Sequence, residues 1–186
     1  MSTERLLEAH GLALVRGGRM LFEGLDLKVA HGERLHLAGA NGSGKTSLLR
    51  LVAGLLQPSA GTILRAPLAL ADEHAALDRE LPLAKALAFW RGGQLREAIA
   101  AFGLADLERV PVRLLSAGQL KRAALARVMA SGAPLWLLDE PLNALDSDGA
   151  ALLASAIDSQ LAAGGAVIAA SHQPLPGDWR TVELGQ

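Results

Sequence analysis

Eight consecutive residues, Gly39-Ala40-Asn41-Gly42-Ser43-Gly44-Lys45-Thr46, set glycines, a lysine and a hydroxyl at the spacing G-x-x-x-x-G-K-[ST]. Glycine lets the main chain turn tightly and bring its N–H groups close to an anion. Lys45 is a cation able to reach the β- and γ-phosphates of a nucleotide, and the Thr46 hydroxyl is a hard oxygen ligand suited to Mg²⁺. Gly39, Asn41, Gly42, Ser43, Gly44, Lys45, Thr46 and the adjoining Ser47 are therefore candidate nucleotide-binding residues. An ordinary glycine-rich turn would share the glycines but not the flanking strand and helix. The loop alone points to ATP or GTP and no further.

A second pair, Asp139-Glu140, closes the apolar run Leu135-Trp136-Leu137-Leu138. In open parallel sheets ligands sit at the carboxyl ends of strands. Asp139 is placed to hold Mg²⁺ through its water shell, and Glu140 to polarise the water that attacks the γ-phosphate. Without the loop, the pair would read as a solvated strand end. Leu115-Ser116-Ala117-Gly118-Gln119 opens a helix, with Ser116 as its cap and the helix start as a further anion site. By itself that is a routine cap.

These residues need a frame. Arg34-Leu35-His36-Leu37-Ala38 alternates as a strand does, and Ser47 to Ala53 carries apolar residues at helical spacing. Upstream, Leu6 to Val29 is expected to hold two or three short strands, with turns at Gly17-Gly18 and His31-Gly32, as an antiparallel flap. Thr62 to Arg65 and Leu68 to Leu70 are short strand candidates. From about 75 to 115 alanine, leucine and charge recur at helical spacing, with helices over Leu83–Trp90, started by Pro82 and ended by Gly92-Gly93, and over Gln94–Phe102. Leu120 to Met129 and Ser147 to Ala163 are expected helices, Ala166 to Ala170 a buried strand, and Trp179 to Leu184 a closing strand. The fold class is α/β, a P-loop NTPase with a mostly parallel central sheet, an N-terminal antiparallel β flap and an inserted helical subdomain. One domain spans 1–186.

Composition narrows the chemistry. With no cysteine among 186 residues, disulfides, thiol catalysis and thiolate-held metal are excluded. The five histidines are scattered and form no H-E-x-x-H pattern. Eighteen basic residues against nineteen acidic ones give a net charge of −1, which offers no electrostatic case for nucleic acid. Met1 to Glu8 lacks the apolar core of a signal peptide, and the longest apolar stretch, Leu161 to Ala170, is too short to span a bilayer. A protein that reaches a membrane only through a partner is the expectation.

Taken together, the motifs resemble those of the ABC-type ATPases, the nucleotide-binding domains of ABC transporters. GANGSGKT resembles the Walker A motif, LSAGQ the LSGGQ signature, and LWLLDEP (Leu135 to Pro141) the Walker B strand. Asn143-Ala144-Leu145-Asp146 resembles the D-loop, and His172 the switch histidine. All stand in family order over essentially the whole chain. The resemblance implies a homodimer in the ATP-bound state, in which ATP on one P-loop is capped by Ser116, Gly118 and Gln119 of the other copy, with Asp146 at the same interface. It implies that His172 senses the γ-phosphate beside the catalytic Glu140, and that an integral-membrane permease, in two copies, is the partner.

Two positions depart from the family. Where an aromatic usually stacks on adenine this chain has Val15-Arg16-Gly17, so Arg16 stacks instead or the contact is lost. No glutamine lies between Gln57 and Gln94 to serve as the Q-loop, and Glu73 or His74 occupies that region. Both departures, with Arg113 to Gln119 and Ser171-His172-Gln173-Pro174-Leu175, resemble the ATP-binding subunits of the bacterial haem exporter of cytochrome c maturation. That group implies a haem-transporting ATPase, peripheral at the cytoplasmic face of the inner membrane, serving haem export or release of a haem-loaded chaperone. No direct haem site is evident in the sequence. The alternatives are a subunit for another cargo and a soluble ABC ATPase of an assembly or repair complex. The single cassette and the lack of a coiled-coil insert speak against two such types. A P-loop GTPase or kinase would leave LSAGQ unexplained, and N-K-x-D is missing.

Overall fold

The computed structural model describes residues 5–90 and 93–185. Two compact units divide the chain. The first holds Met1–Leu70, Pro134–Pro141 and Gln160–Gln186, and the second Ala71–Ala133 and Leu142–Ser159.

In the first unit, β1 (Arg5–Arg16) and β2 (Arg19–Ala30) form a long antiparallel hairpin, and β4 (Ala60–Arg65) pairs on the other side of β1. The flap therefore has two twelve-residue strands before the P-loop, longer than expected, and borrows its third strand from beyond the P-loop helix. The pairing continues across Gly11 and Gly24 because register shifts absorb the irregularity that otherwise reads as a strand end. β3 (Arg34–Ala38) feeds α1 (Lys45–Val52). A five-stranded sheet runs in the order β5 (Leu68–Ala71), β6 (Leu135–Asp139), β7 (Ala166–Ala170), β3, β8 (Arg180–Glu183). The pairs β6–β7, β7–β3 and β3–β8 are parallel.

Every residue of β6 and β7 is buried, as expected of strands covered on both faces. Leu7, Leu12 and Leu27 of the hairpin, Leu35 and Leu37 of β3, Leu48 and Leu51 of α1, and Leu137 and Ile168 of the central strands share one core. That common core fixes where α1 starts relative to β3, and so the shape of the loop between them.

The second unit carries α2 (Leu83–Ala88), α3 (Leu95–Ala101), α4 (Ala117–Ala130) and most of α5 (Ser147–Ala162). Among its described residues the alanine-rich stretch holds short helices and two 3₁₀ turns, Ala105–Leu107 and Val112–Leu114. The expected stop at Gly92 lies outside the described residues. Leu87, Ile99, Phe102 and Leu125 are buried within this unit. No helix among the described residues is long and apolar enough to cross a membrane.

Candidate active site

Three neighbouring strands bring their carboxyl ends to one edge of the sheet. β3 runs into the glycine loop, β6 ends at Asp139, and β7, between them, leads to Ser171 and His172. Residues far apart in sequence thus meet because a parallel ladder fixes the direction of each strand.

The loop is glycine-dependent for a visible reason. A Cβ on Gly39 would lie 2.5 Å from the Leu184 carbonyl oxygen and 2.8 Å from Ser43 Oγ. Gly44 caps α1 at φ +102° and, having no side chain, makes no cap hydrogen bond to the first-turn N–H groups of this helix. Those donors suit an anion. Ser43 Oγ is buried without a hydrogen-bond partner, and a phosphate oxygen would supply one. The Lys45 ammonium, only 6% of that residue being exposed, donates to the carbonyls of Gly39 at 2.7 Å and Ala40 at 3.0 Å, across the loop. A cleft of about 500 Å³ adjoins these groups, and Arg16, Leu21, Asn41, Thr46 and Glu140 also line it. Arg16 Nη1 lies 3.4 Å from Ser47 Oγ, a buried hydroxyl at the start of α1.

Thr46 Oγ1 donates to Asp139 Oδ1 at 3.1 Å. A hydroxyl and a carboxylate are the hard oxygen donors Mg²⁺ prefers, and it completes its shell with water and substrate phosphate. Among the described residues no three His, Cys, Asp or Glu side chains gather to hold a metal. The pair thus fits an ion shared with a bound nucleotide.

Glu140 stands at φ +44°, a strained angle for a residue with a side chain. Its N–H donates to the Ala170 carbonyl at 2.8 Å, carrying the β6–β7 ladder one residue further. The turned backbone presents the carboxylate to His172. His172 N–H donates to Oε1 at 3.2 Å, and Nδ1 is 3.0 Å from both carboxylate oxygens. An ionised carboxylate only accepts, so Nδ1 carries a proton in this pair.

The remaining candidates belong to the second unit. Ser116 caps α4 and accepts from Gln119 N–H at 3.2 Å, while Gln119 Oε1 accepts from Ser116 N–H at 2.9 Å. This reciprocal capping box was legible as S-x-x-Q. It starts the helix at Ala117, three residues before the amphipathic pattern begins. A Cβ on Gly118 would lie 3.0 Å from the Ala144 carbonyl, so the two turns pack closely. Asp146 Oδ1 accepts from Gly149 N–H at 2.8 Å at the start of α5. Glu73 and His74 are exposed, and Asp72 Oδ1 accepts from His74 N–H at 2.9 Å.

Nearby in this unit Arg127 is buried, donates from Nε to the Ala75 carbonyl at 3.1 Å and lies 4.6 Å from the Trp90 ring centroid. Burial draws its pKa down, and Asp72 opposes the shift. Sequence reasoning did not find Leu21 in the cleft wall or Arg127. Leu21 sits in a strand with no motif, and Arg127 in an ordinary helical charge pattern.

The sequence model of the family described as ABC transporter matches residues 22–143. The chain is 58% identical to the cytochrome c biogenesis ATP-binding export protein CcmA of Novosphingobium aromaticivorans, over 91% of this chain and 90% of that one. It is 50% identical to the protein of the same name from Sphingopyxis alaskensis, over 90% of each. Among solved structures, a putative ABC transporter ATP-binding protein from Pyrococcus furiosus superposes with a TM-score of 0.83, at 22% identity over 96% of each chain. The structure of an ATP-binding subunit of an ABC transporter gives 0.82 at 23% identity, over 90% of this chain and 79% of that one. At such identities these two likenesses speak for the fold alone.

Proposed function

Because the chain belongs to the ABC transporter family of ATP-binding proteins, alongside the cytochrome c biogenesis export proteins, we propose that it energises a membrane permease for c-type cytochrome biogenesis, with haem as the cargo or the chaperone-bound group released. It is an ABC-type ATPase, and an ATP-binding subunit of this kind implies a permease partner. Its place is the cytoplasmic face of the inner membrane, held there by the permease. All 186 residues act as one nucleotide-binding domain, with the helical subdomain at about 75–115. Phe89 and Leu114 of that region are exposed apolar side chains, which supports a protein contact there.

The observation that carries the catalytic reading is Thr46–Asp139 at 3.1 Å beside a glutamate braced by His172. Gly39, Asn41, Gly42, Ser43 and Gly44 wrap the phosphates, and Lys45 neutralises their outer oxygens. Arg16 and Ser47, 3.4 Å apart, border the same cleft, where Arg16 is the residue available to stack on the adenine. Thr46 and Asp139 would hold Mg²⁺, which when bound would supply charge neutralisation to the nucleotide. Glu140 accepts a proton from the attacking water, and His172 fixes the carboxylate that does so. Ser116, Gly118, Gln119 and Asp146 of a second copy close the site, as the amino end of α4 offers N–H groups to the γ-phosphate. Closure and release give the permease its two states.

Deletion of the gene, followed by haem staining of membrane c-type cytochromes, tests the assignment. Holo-cytochromes are expected to disappear, to return with the wild-type gene and to stay absent with Glu140→Gln. Normal holo-cytochromes in the deletion strain would overturn the cytochrome role.

A further inference from the structure

One buried polar side chain of the central sheet has no part in that scheme. His36 stands in β3 between Leu35 and Leu37, which are fully buried. Its Nε2 is 3.2 Å from the carbonyl oxygen of Ser171. A carbonyl only accepts, so Nε2 donates. Ser171 is buried, follows the last residue of β7 and immediately precedes His172.

The β3–β7 register runs to Leu37 opposite Ala170. Ser171 N–H still reaches the Leu37 carbonyl at 3.3 Å. Its carbonyl meets a side chain instead, the imidazole of His36. Both main-chain groups of Ser171 are therefore held from β3, the strand that ends in the P-loop. Beyond this anchor the switch segment is not packed on every side. His36 and His172 both line a cavity of about 600 Å³, together with Trp179, Thr181 and Glu183. With open space on that flank, the hydrogen bond from His36 fixes where the chain emerges from the sheet.

We propose that His36 is a positioning residue for His172: its Nε2–H anchors the Ser171 carbonyl and so sets the direction from which His172 meets Glu140. This rests on the reading of Glu140 and His172 as the catalytic pair. His36 touches no substrate in this role. It acts by holding the next link of the chain.

Steady-state Mg-ATP turnover of the full-length subunit tests it. His36→Leu is expected to lower kcat roughly tenfold with KM for ATP unchanged, since a small misplacement of a catalytic group costs rate rather than binding. In glutamine, Nε2 stands as many bonds from Cβ as imidazole Nε2 does, so His36→Gln should restore kcat to within about threefold. The asparagine amide matches the Nδ1 position and falls short, so His36→Asn should resemble His36→Leu. This contrast is read between two polar variants, so a general loss of folding would not produce it. Combined with His172→Ala, His36→Leu should remove no further activity.

Wild-type turnover in His36→Leu, equal activity of the Gln and Asn variants, or full additivity with His172→Ala would each overturn the proposal. Wild-type turnover in His172→Ala would instead remove the catalytic pair on which it rests.

Discussion

At the scale of single residues, charge and backbone strain make separable predictions. Lys45 bonds two loop carbonyls with a nearly buried ammonium. Exchanging those for phosphate oxygens replaces neutral acceptors with charged ones, and a charge-assisted bond is worth about 1.5–3 kcal/mol. Lys45→Ala is therefore expected to weaken ATP binding roughly 10- to 100-fold in equilibrium titration. Unchanged affinity would place the phosphates elsewhere. Glu140 makes the opposite kind of case. Its φ of +44° is held by the Ala170 hydrogen bond and the His172 contact. Left-handed backbone costs a side-chain-bearing residue roughly 1–3 kcal/mol, and glycine does not pay it. Glu140→Gly should then unfold at higher urea by about 1 kcal/mol of stability while losing turnover. A variant less stable than wild type would mean that the side-chain contacts outweigh the strain.

At the scale of elements, the start of α4 is where local chemistry decides most. The Ser116–Gln119 box satisfies two main-chain donors reciprocally. Ser116→Ala should cost about 1 kcal/mol of stability. Gln119→Ala in the same background should cost less than it does alone, because without the Ser116 hydroxyl the first turn frays and the Ser116 N–H that Gln119 Oε1 accepts from is no longer held in place. Equal costs in denaturant titrations would show the two bonds to be independent. The same element shows what a sequence can display. The Ser116 cap, the glycine loop and the apolar run of β6 before Asp139 are local patterns, visible in a few residues each. The place of the third strand in the flap was not: Thr62 to Arg65 reads as a strand, but β4 meets β1 across some fifty residues and only tertiary pairing selects it. The φ of Glu140 was likewise hidden. It follows from a ladder bond to β7 rather than from the residues on either side. The meeting of Thr46, Asp139 and His172 needed the strand order, which the motifs implied only through the family they resemble.

At the scale of the whole molecule, the phosphate loop with Asp139, Glu140 and His172 lies in one compact unit, and Ser116, Gly118, Gln119 and Asp146 in the other. The proposed function joins the two sets across a pair of chains, with ATP as the shared ligand. Blocking hydrolysis should make that pair last. Glu140→Gln keeps the size of the side chain and one acceptor oxygen for His172 but removes the base, so turnover should fall by about 10²–10⁴ while ATP still binds. Placing an arginine at Ser116 in that background should prevent pairing without loss of ATP binding. The most direct test is the light-scattering mass of Glu140→Gln protein at saturating Mg-ATP. Two 19.3 kDa chains per particle, returning to one with Ser116→Arg, is the predicted result. A particle of one chain with ATP bound would contradict a nucleotide clamped between two copies.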